Sequence, residues 1–160
     1  MSTGVTLNTP ATPLRVLVLH GPNLNLLGMR EPQIYGSLTL AQVNGHIEDL
    51  ARELQVEVQT LQSNHEGVLV DALHAGIGKV AGALLNPAGL TGYSVSLHDA
   101  IKAVPFPVLE IHLSNIAARE EWRDRSIISS AVRATVQGLG WRSYTAGLRA
   151  LVELIREKNS

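Results

Sequence analysis

A tyrosine and an arginine in one polar segment offer the first candidate chemistry in this sequence. Tyr35 and Arg30 lie five residues apart in a connection spanning residues 21–38, whereas strand-to-helix connections usually take about 2–6 residues. A tyrosine base must ionise against a reference pKa of about 10, and a permanently charged arginine nearby favours the phenolate. The segment predicts either a base assisted by Arg30, or a tyrosine that packs to anchor the segment while Arg30 faces solvent.

A carboxylate and an imidazole two residues apart form the second candidate pair. Glu110 and His112 close an apolar run, and a strand places residues two apart on the same side. The carboxylate would then orient the imidazole, which makes His112 a candidate general acid. A histidine that is merely hydrogen-bonded at the edge of a sheet explains the same pattern.

Other polar residues near apolar runs have equally open interpretations. Free N–H groups at residues 113–115 suit a carboxylate if a short helix opens there, although ordinary capping also explains them. The amide of Asn86 either holds a ligand or closes its own turn. Arg119 and Arg123 fall one helical turn apart, in and just after a helix predicted over 117–122, where most charges face solvent and one arginine is free to turn inward.

Metal, nucleotide and imine chemistry lack their usual signatures. The six histidines form no His-x-x-x-His pair and no compact ligand set, and those at 46, 65, 74 and 98 are predicted on helix surfaces. Glycine-rich phosphate loops and the Gly-x-Ser-x-Gly elbow are missing from the sequence. The lysines fall on predicted helices or their ends, so an imine mechanism is not favoured.

Apolar strands alternate with amphipathic helices along the chain. Strands are predicted at 14–19, 55–62, 80–85, 108–113 and within 127–137, and helices at 39–54, from a capping box at 63–66, at 94–104, 117–122 and 143–158. This order predicts an α/β fold, a flavodoxin-like doubly wound five-stranded parallel sheet with helices on both faces. Ligands of such sheets bind beyond the carboxyl ends of the strands, where the polar segments fall.

Composition is that of an ordinary globular protein. The 160 residues are 45% hydrophobic and carry a net charge of −1, which fits one catalytic domain at 14–160. The Thr- and Pro-rich start of the chain predicts a flexible tail at 1–13. Neither a basic stripe nor an apolar run of about 20 residues occurs, so we expect no nucleic-acid or membrane partner. The absence of cysteine fits a cytoplasmic protein.

Six motifs, in order, resemble the type II 3-dehydroquinate dehydratases. They are the segment from His20 to Gly36 (His-Gly-Pro-Asn-Leu-Asn-Leu-Leu-Gly, then Arg-Glu-Pro and Tyr-Gly), Gln-Ser-Asn-His-Glu-Gly at 62–67, Asn-Pro at 86–87, Ser-Val-Ser-Leu-His-Asp at 94–99, Glu-Ile-His-Leu-Ser-Asn at 110–115 and Ala-Arg-Glu-Glu-Trp-Arg at 118–123. The resemblance implies a flavodoxin-like subunit without metal or organic cofactor, assembled as a dodecamer of four trimers. The implied reaction is an anti elimination of water from 3-dehydroquinate through an enolate, giving 3-dehydroshikimate for aromatic amino acid biosynthesis or in quinate breakdown.

The resemblance also implies catalytic roles. Tyr35 would remove a C2 proton beside the ketone, and Arg30 would stabilise the resulting charge. Asn23 would position a water against the enolate. His112 would protonate the departing C1 hydroxyl, with Glu110 as its orienting partner.

Substrate-binding roles follow in the same way. Asn86 and the backbone of Leu113 and Ser114 would hold the substrate carboxylate, and Arg123 the hydroxyl side. Asp99 would lie at a trimer interface and reach the cavity of a neighbouring subunit.

One motif departs from the family pattern. Where the family commonly has Thr-His-Thr-Ser, this chain has Thr-Gly-Tyr-Ser, with Gly92 in place of a histidine that binds a substrate hydroxyl. Either Tyr93 or water would supply that contact, or the chain would be a catalytically silent relative. A module that binds a nucleotide or flavin is the other alternative, but Pro22 and Leu24 interrupt any phosphate cradle after the first strand.

Overall fold

Five parallel strands form one sheet in the computed structural model, which describes residues 12–160. In chain order the strands are β1 (Arg15–His20), β2 (Glu57–Gln62), β3 (Gly82–Asn86), β4 (Val108–His112) and β5 (Ala134–Gln137). Their order across the sheet is β2-β1-β3-β4-β5, and every neighbouring pair is parallel. The predicted α/β, flavodoxin-like sheet is confirmed.

Helices cover both faces of this sheet. They are α1 (Pro32–Tyr35), α2 (Leu40–Leu54), α3 (Glu66–Ala75), α4 (Val95–Ala103) and α5 (Arg142–Lys158). Three short 3-10 turns (Leu24–Leu26, Ala88–Gly92 and Ile116–Ala118) lie in the connections after β1, β3 and β4. The predicted capping box of α2 is present, since the side chains of Thr39 and Gln42 each accept from the other's backbone N–H.

The two faces of the sheet have separate hydrophobic cores because consecutive side chains of a strand point to opposite faces. Val18 of β1 packs in the cluster that holds apolar residues of α2 and α5. Its neighbour Leu19 packs in the cluster that holds those of α3 and α4. The central strands β3 and β4 are buried throughout, which explains why they are continuous apolar runs in the sequence.

The sheet has its switch point at β1 and β3. The chain runs from β1 to one neighbour, β2, and then crosses to β3 on the other side. His20 and Asn86 pair in register at the carboxyl ends of these strands, and His112 ends β4 beside them. The connections that follow these strands therefore diverge around one crevice, which is where such sheets bind ligands.

Two predictions about helices are wrong. The hydroxyl of Ser63 accepts from the N–H of His65, so it closes a turn instead of capping α3, which begins at Glu66 with no side-chain cap. The helix predicted over 117–122 is only the 3-10 turn at Ile116–Ala118, because the backbone becomes extended at Arg119. The strand predicted at 80–85 begins two residues later and includes Asn86.

Three further predictions concern the surface and the tail. His46 is half-buried rather than on the helix surface, with its ring stacked on Trp141 at 4.0 Å between centroids. Residues 1–11 of the predicted tail lie outside the described residues. Within residues 12–160 no helix has the length and apolar character to cross a membrane.

Candidate active site

A cavity of about 450 Å³ opens at the carboxyl ends of β1, β3 and β4, a volume typical of small-molecule sites. The connection after each of these strands contributes to its wall. Eight of the ten predicted site residues line it: Asn23, Arg30, Tyr35, Asn86, His112, Leu113, Ser114 and Arg123. The convergence expected from the strand pattern is therefore present.

The cavity has a positive lining. Arg30, Arg119, Arg123 and Arg125 all contribute to its wall, and none of the lining residues is an aspartate or a glutamate. Among the described residues, the charged side chains in the cavity wall are therefore all cationic at neutral pH. The arrangement suits an anionic ligand, since arginine keeps its charge and offers several donors to a carboxylate.

Tyr35 lies between two guanidinium groups. Arg119 donates from Nη1 to the Tyr35 hydroxyl at 3.2 Å, and the same nitrogen is 3.3 Å from the hydroxyl of Ser114. Arg30 is close to the aromatic ring, with its Cζ 5.2 Å from the centroid. The hydrogen bond to Tyr35 raises the pKa of Arg119 further. The side chain best placed to stabilise a phenolate is thus Arg119, which the sequence suggested only as one of two arginines free to turn inward.

His112 is oriented by a hydrogen bond to Glu110. Its Nε2 lies 2.7 Å from Oε1 of Glu110, whose side chain is fully buried. The hydroxyls of Ser126 and Ser129 each donate to Glu110 at 2.6 Å, one to each carboxylate oxygen. Burial alone would raise the pKa of Glu110, but the hydrogen bonds from His112, Ser126 and Ser129 outweigh it and hold that pKa below its usual value.

An ionised Glu110 accepts hydrogen bonds and donates none. The Nε2 of His112 must therefore carry a proton and donate a hydrogen bond to the carboxylate. Nδ1 is then the ring nitrogen of His112 that is not committed to Glu110, and His112 lines the cavity. This arrangement is typical of a histidine that exchanges a proton with a ligand.

Asn23 and Asn86 enter the cavity from the ends of β1 and β3. Asn23 adopts the left-handed conformation, with φ 68°, which asparagine tolerates better than most residues. The Oδ1 of Asn86 accepts from the N–H of Ala88 at 3.1 Å, so its carbonyl oxygen closes the local turn. A side-chain hydrogen bond also links Asn86 to Tyr144, and since an amide nitrogen has two N–H donors, one of them can still serve a ligand.

The rim of the cavity is open at the position that departs from the family pattern. A Cβ built on Gly92 would have only the carbonyl oxygen of Arg125 within 4 Å, at 3.8 Å. Tyr93 and Trp122 also line the cavity and are 67% and 71% exposed. The rim is therefore wide and aromatic on this side.

Two predicted site residues do not line the cavity of this chain: Glu110, which lies behind His112, and Asp99. The Asp99 carboxylate lies on α4, mostly exposed, 3.1 Å from Nδ1 of His98. Its expected contribution to a neighbouring subunit stays a prediction. Sequence reasoning missed the contact of Arg119 with Tyr35 and the two serines on Glu110.

Two solved structures that superpose well on this chain are type II dehydroquinases. The chain superposes on the type II dehydroquinase of Butyrivibrio crossotus with a TM-score of 0.85 and 33% identity, covering 87% of this chain and 97% of that one. For the type II dehydroquinase of Propionibacterium acnes the TM-score is also 0.85 at 36% identity, with coverage of 89% and 99%.

Sequence relatives agree with the structural ones. The dehydroquinase class II family matches residues 14–152. The 3-dehydroquinate dehydratase of Desulforudis audaxviator is 51% identical over 142 residues, covering 89% of this chain and 95% of its own. That of a Nostoc species is 54% identical over 140 residues, with coverage of 88% and 95%. The chain belongs to the class II dehydroquinase family.

Proposed function

We propose that this chain is a 3-dehydroquinate dehydratase, a hydro-lyase that removes water from 3-dehydroquinate to give 3-dehydroshikimate. The observation that carries the proposal is one arginine-lined cavity that contains both a tyrosine hydrogen-bonded to a guanidinium and a histidine hydrogen-bonded to a buried carboxylate. The first pair is suited to act as a base and the second as an acid. The names of the relatives supply the substrate.

Tyr35 is the base of the proposed reaction. It removes a proton from C2, which is acidified by the adjacent ketone, and the electron pair moves to the ketone oxygen as an enolate. Arg119 donates a hydrogen bond to the Tyr35 oxygen, and Arg30 adds a second positive charge near the ring. Both cations favour the phenolate. Asn23 positions a water against the enolate oxygen.

His112 is the acid. The proton on its Nδ1 passes to the C1 hydroxyl as the C1–O bond breaks, and the enolate collapses to the conjugated enone. Water leaves, and the imidazole remains with its Nε2 proton donated to Glu110. The fixed negative charge of Glu110 stabilises the imidazolium before the transfer.

Substrate binding uses the polar groups around these two residues. The carboxylate of 3-dehydroquinate lies against the amide nitrogen of Asn86 and the backbone at Leu113 and Ser114. Arg123 binds the hydroxyl side, where its Nε is buried and has no protein partner among the described residues.

The proposal extends to the setting of the enzyme. It acts in the cytoplasm, in the shikimate pathway or in quinate breakdown, as a homododecamer in which Asp99 reaches a neighbouring cavity. Light scattering tests the assembly, which predicts twelve times the 17.2 kDa mass of the chain; a monomeric mass would contradict it.

The replacement Tyr35→Phe tests the base. We expect growth of enone absorbance when wild-type protein meets 3-dehydroquinate, and a loss of about 10²–10⁴-fold in kcat in the variant, which is typical for a general acid or base. Tyr35 is only half-buried, so the variant should unfold at the same urea concentration as wild type. Near-normal turnover by Tyr35→Phe would contradict its role. A wild-type protein that binds 3-dehydroquinate without converting it would indicate a silent relative.

A further inference from the structure

The turn between β2 and α3 contacts the connection that follows β1, but it does not line the cavity. The motif Gln-Ser-Asn-His-Glu-Gly at residues 62–67 spans this turn, and none of its residues belongs to the cavity wall. Asn64 of this turn is exposed to solvent. By exposure alone its side chain would be expected to tolerate replacement without consequence.

The Asn64 side chain nevertheless connects two pieces of backbone. Its Oδ1 accepts from the N–H of Asn23 at 2.9 Å and from Nε2 of Gln62 at 3.0 Å. The same amide nitrogen of Gln62 donates to the carbonyl oxygen of Gly21 at 3.2 Å. Gln62 and Asn64 therefore hold both sides of the short turn that carries Asn23 into the cavity.

The backbone of that turn needs such support. Asn23 has φ 68° and ψ −2°, a left-handed conformation that costs free energy unless the surroundings fix it. On the opposite side Gly21 donates to the carbonyl oxygen of Asn86 at 2.8 Å. A Cβ at Gly21 would lie 2.6 Å from the carbonyl oxygen of Pro87, so the chain is in close contact with β3's connection there. The turn is thus clamped between the ends of β2 and β3.

We propose that Asn64, held by Gln62, is a positioning residue that fixes the backbone of Asn23 and thereby aims the Asn23 side chain into the cavity. The effect on turnover rests on the proposed function, because Asn23 acts there on the enolate. Asn64 itself touches no reacting atom. Since the enolate forms only as the reaction proceeds, a misplaced Asn23 should lower kcat and leave KM nearly unchanged.

Three variants test this role in the full-length protein. In Asn64→Ala the acceptor is lost, and we expect kcat to fall about tenfold, equivalent to ~1.4 kcal/mol, with KM within about twofold. In Asn64→Asp an oxygen acceptor remains, and kcat should return to within about threefold of wild type. Asn159→Ala, an exposed asparagine at the end of α5, is the matched control and should have wild-type kinetics.

A double-mutant cycle separates positioning from a general effect on the fold. If Asn64 acts through Asn23, adding Asn64→Ala to Asn23→Ala should cost less than about twofold more in kcat, because the side chain that it aims is already gone. A further tenfold loss on that background would overturn the proposal. So would an unchanged kcat in Asn64→Ala, or equal losses in the alanine and aspartate variants.

Hydrogen exchange gives a reading that needs no substrate. Measured by mass spectrometry on a peptide covering residues 21–27, exchange should be faster in Asn64→Ala and near wild type in Asn64→Asp, since Asn64 protects the Asn23 amide. Unchanged exchange in Asn64→Ala would refute the role of Asn64. If wild-type protein did not dehydrate 3-dehydroquinate, the proposed function would fail, and this measurement would still decide the positioning role.

Discussion

Replacing Arg119 by methionine should slow the reaction by removing the donor on the Tyr35 hydroxyl. The variant Arg119→Met keeps most of the side-chain volume and loses the hydrogen bond of 3.2 Å. A hydrogen bond to a charged group contributes about 1.5–3 kcal/mol. The Arg119 side chain is only 13% exposed, so solvent screens the contact little. At about 1.4 kcal/mol for each factor of ten, the expected loss in kcat is about 10- to 150-fold.

The assay follows enone absorbance over a range of 3-dehydroquinate concentrations. The loss should fall mainly on kcat, because Arg119 supports the form of Tyr35 that takes the C2 proton and is not proposed to hold the substrate. Wild type and variant should have similar KM values if Arg119 acts chiefly on the base.

A second contact of Arg119 provides the control. Its Nε lies 3.4 Å from the Glu120 carboxylate, which is 52% exposed, and exposed ion pairs of this kind contribute little. Glu120→Gln removes that pair and should leave kcat unchanged. The reasoning would be refuted by an Arg119→Met enzyme within about twofold of wild type, or by an equal loss in Glu120→Gln.

Two further replacements test the ionised state of Glu110 and the open rim of the cavity at Gly92. Glu110 has a lowered pKa in the folded chain, so its ionised form stabilises the fold above the reference pKa of about 4.3. That stability is lost when the pH falls through the folded-state pKa of Glu110. Urea unfolding of Glu110→Gln should therefore show a smaller loss of stability between pH 6 and pH 3 than wild type does, and an equal loss would contradict this. Gly92→His has room for its Cβ and should fold normally. It should lower KM for 3-dehydroquinate by about threefold, which is the effect of one weak hydrogen bond to a substrate hydroxyl. A raised KM would show that Tyr93 or water already binds this substrate hydroxyl.

The sheet could be predicted because its central strands are buried on both faces and must therefore consist mainly of apolar residues. β3 and β4 are buried along their whole length, so each had to be an apolar run with turn residues at its ends. β5 gives a weaker signal, and the sequence limits it only to the range 127–137. It is four residues long, Ala134–Gln137, with its first two residues exposed, so the sequence contains no buried run to mark its limits.

Capping signals were less reliable than strand signals. The same residue types that cap one helix at Thr39 form a different turn at Ser63, where the carboxylate of Glu66 instead accepts from the hydroxyl of Ser94. A capping box is a local pattern, and a residue elsewhere in the fold can form a hydrogen bond with either of its side chains instead. The burial of a strand depends on the whole sheet, so one competing contact does not change it.

The limits of sequence reasoning within the site follow the same distinction. Glu110 and His112 could be paired from the sequence because a two-residue period brings them together. The serines that hold Glu110 ionised lie 16 and 19 residues further on, in a segment without regular structure, where no periodicity relates them to β4. Arg119 reaches Tyr35 across 84 residues of chain because the helix predicted there ends at Ala118 and the backbone turns extended. A helix that continued to residue 122 would have placed Arg119 one turn from Arg123 on the same face. The observed backbone instead leaves the helical path at Arg119, and no helical periodicity in the sequence could indicate a contact with Tyr35.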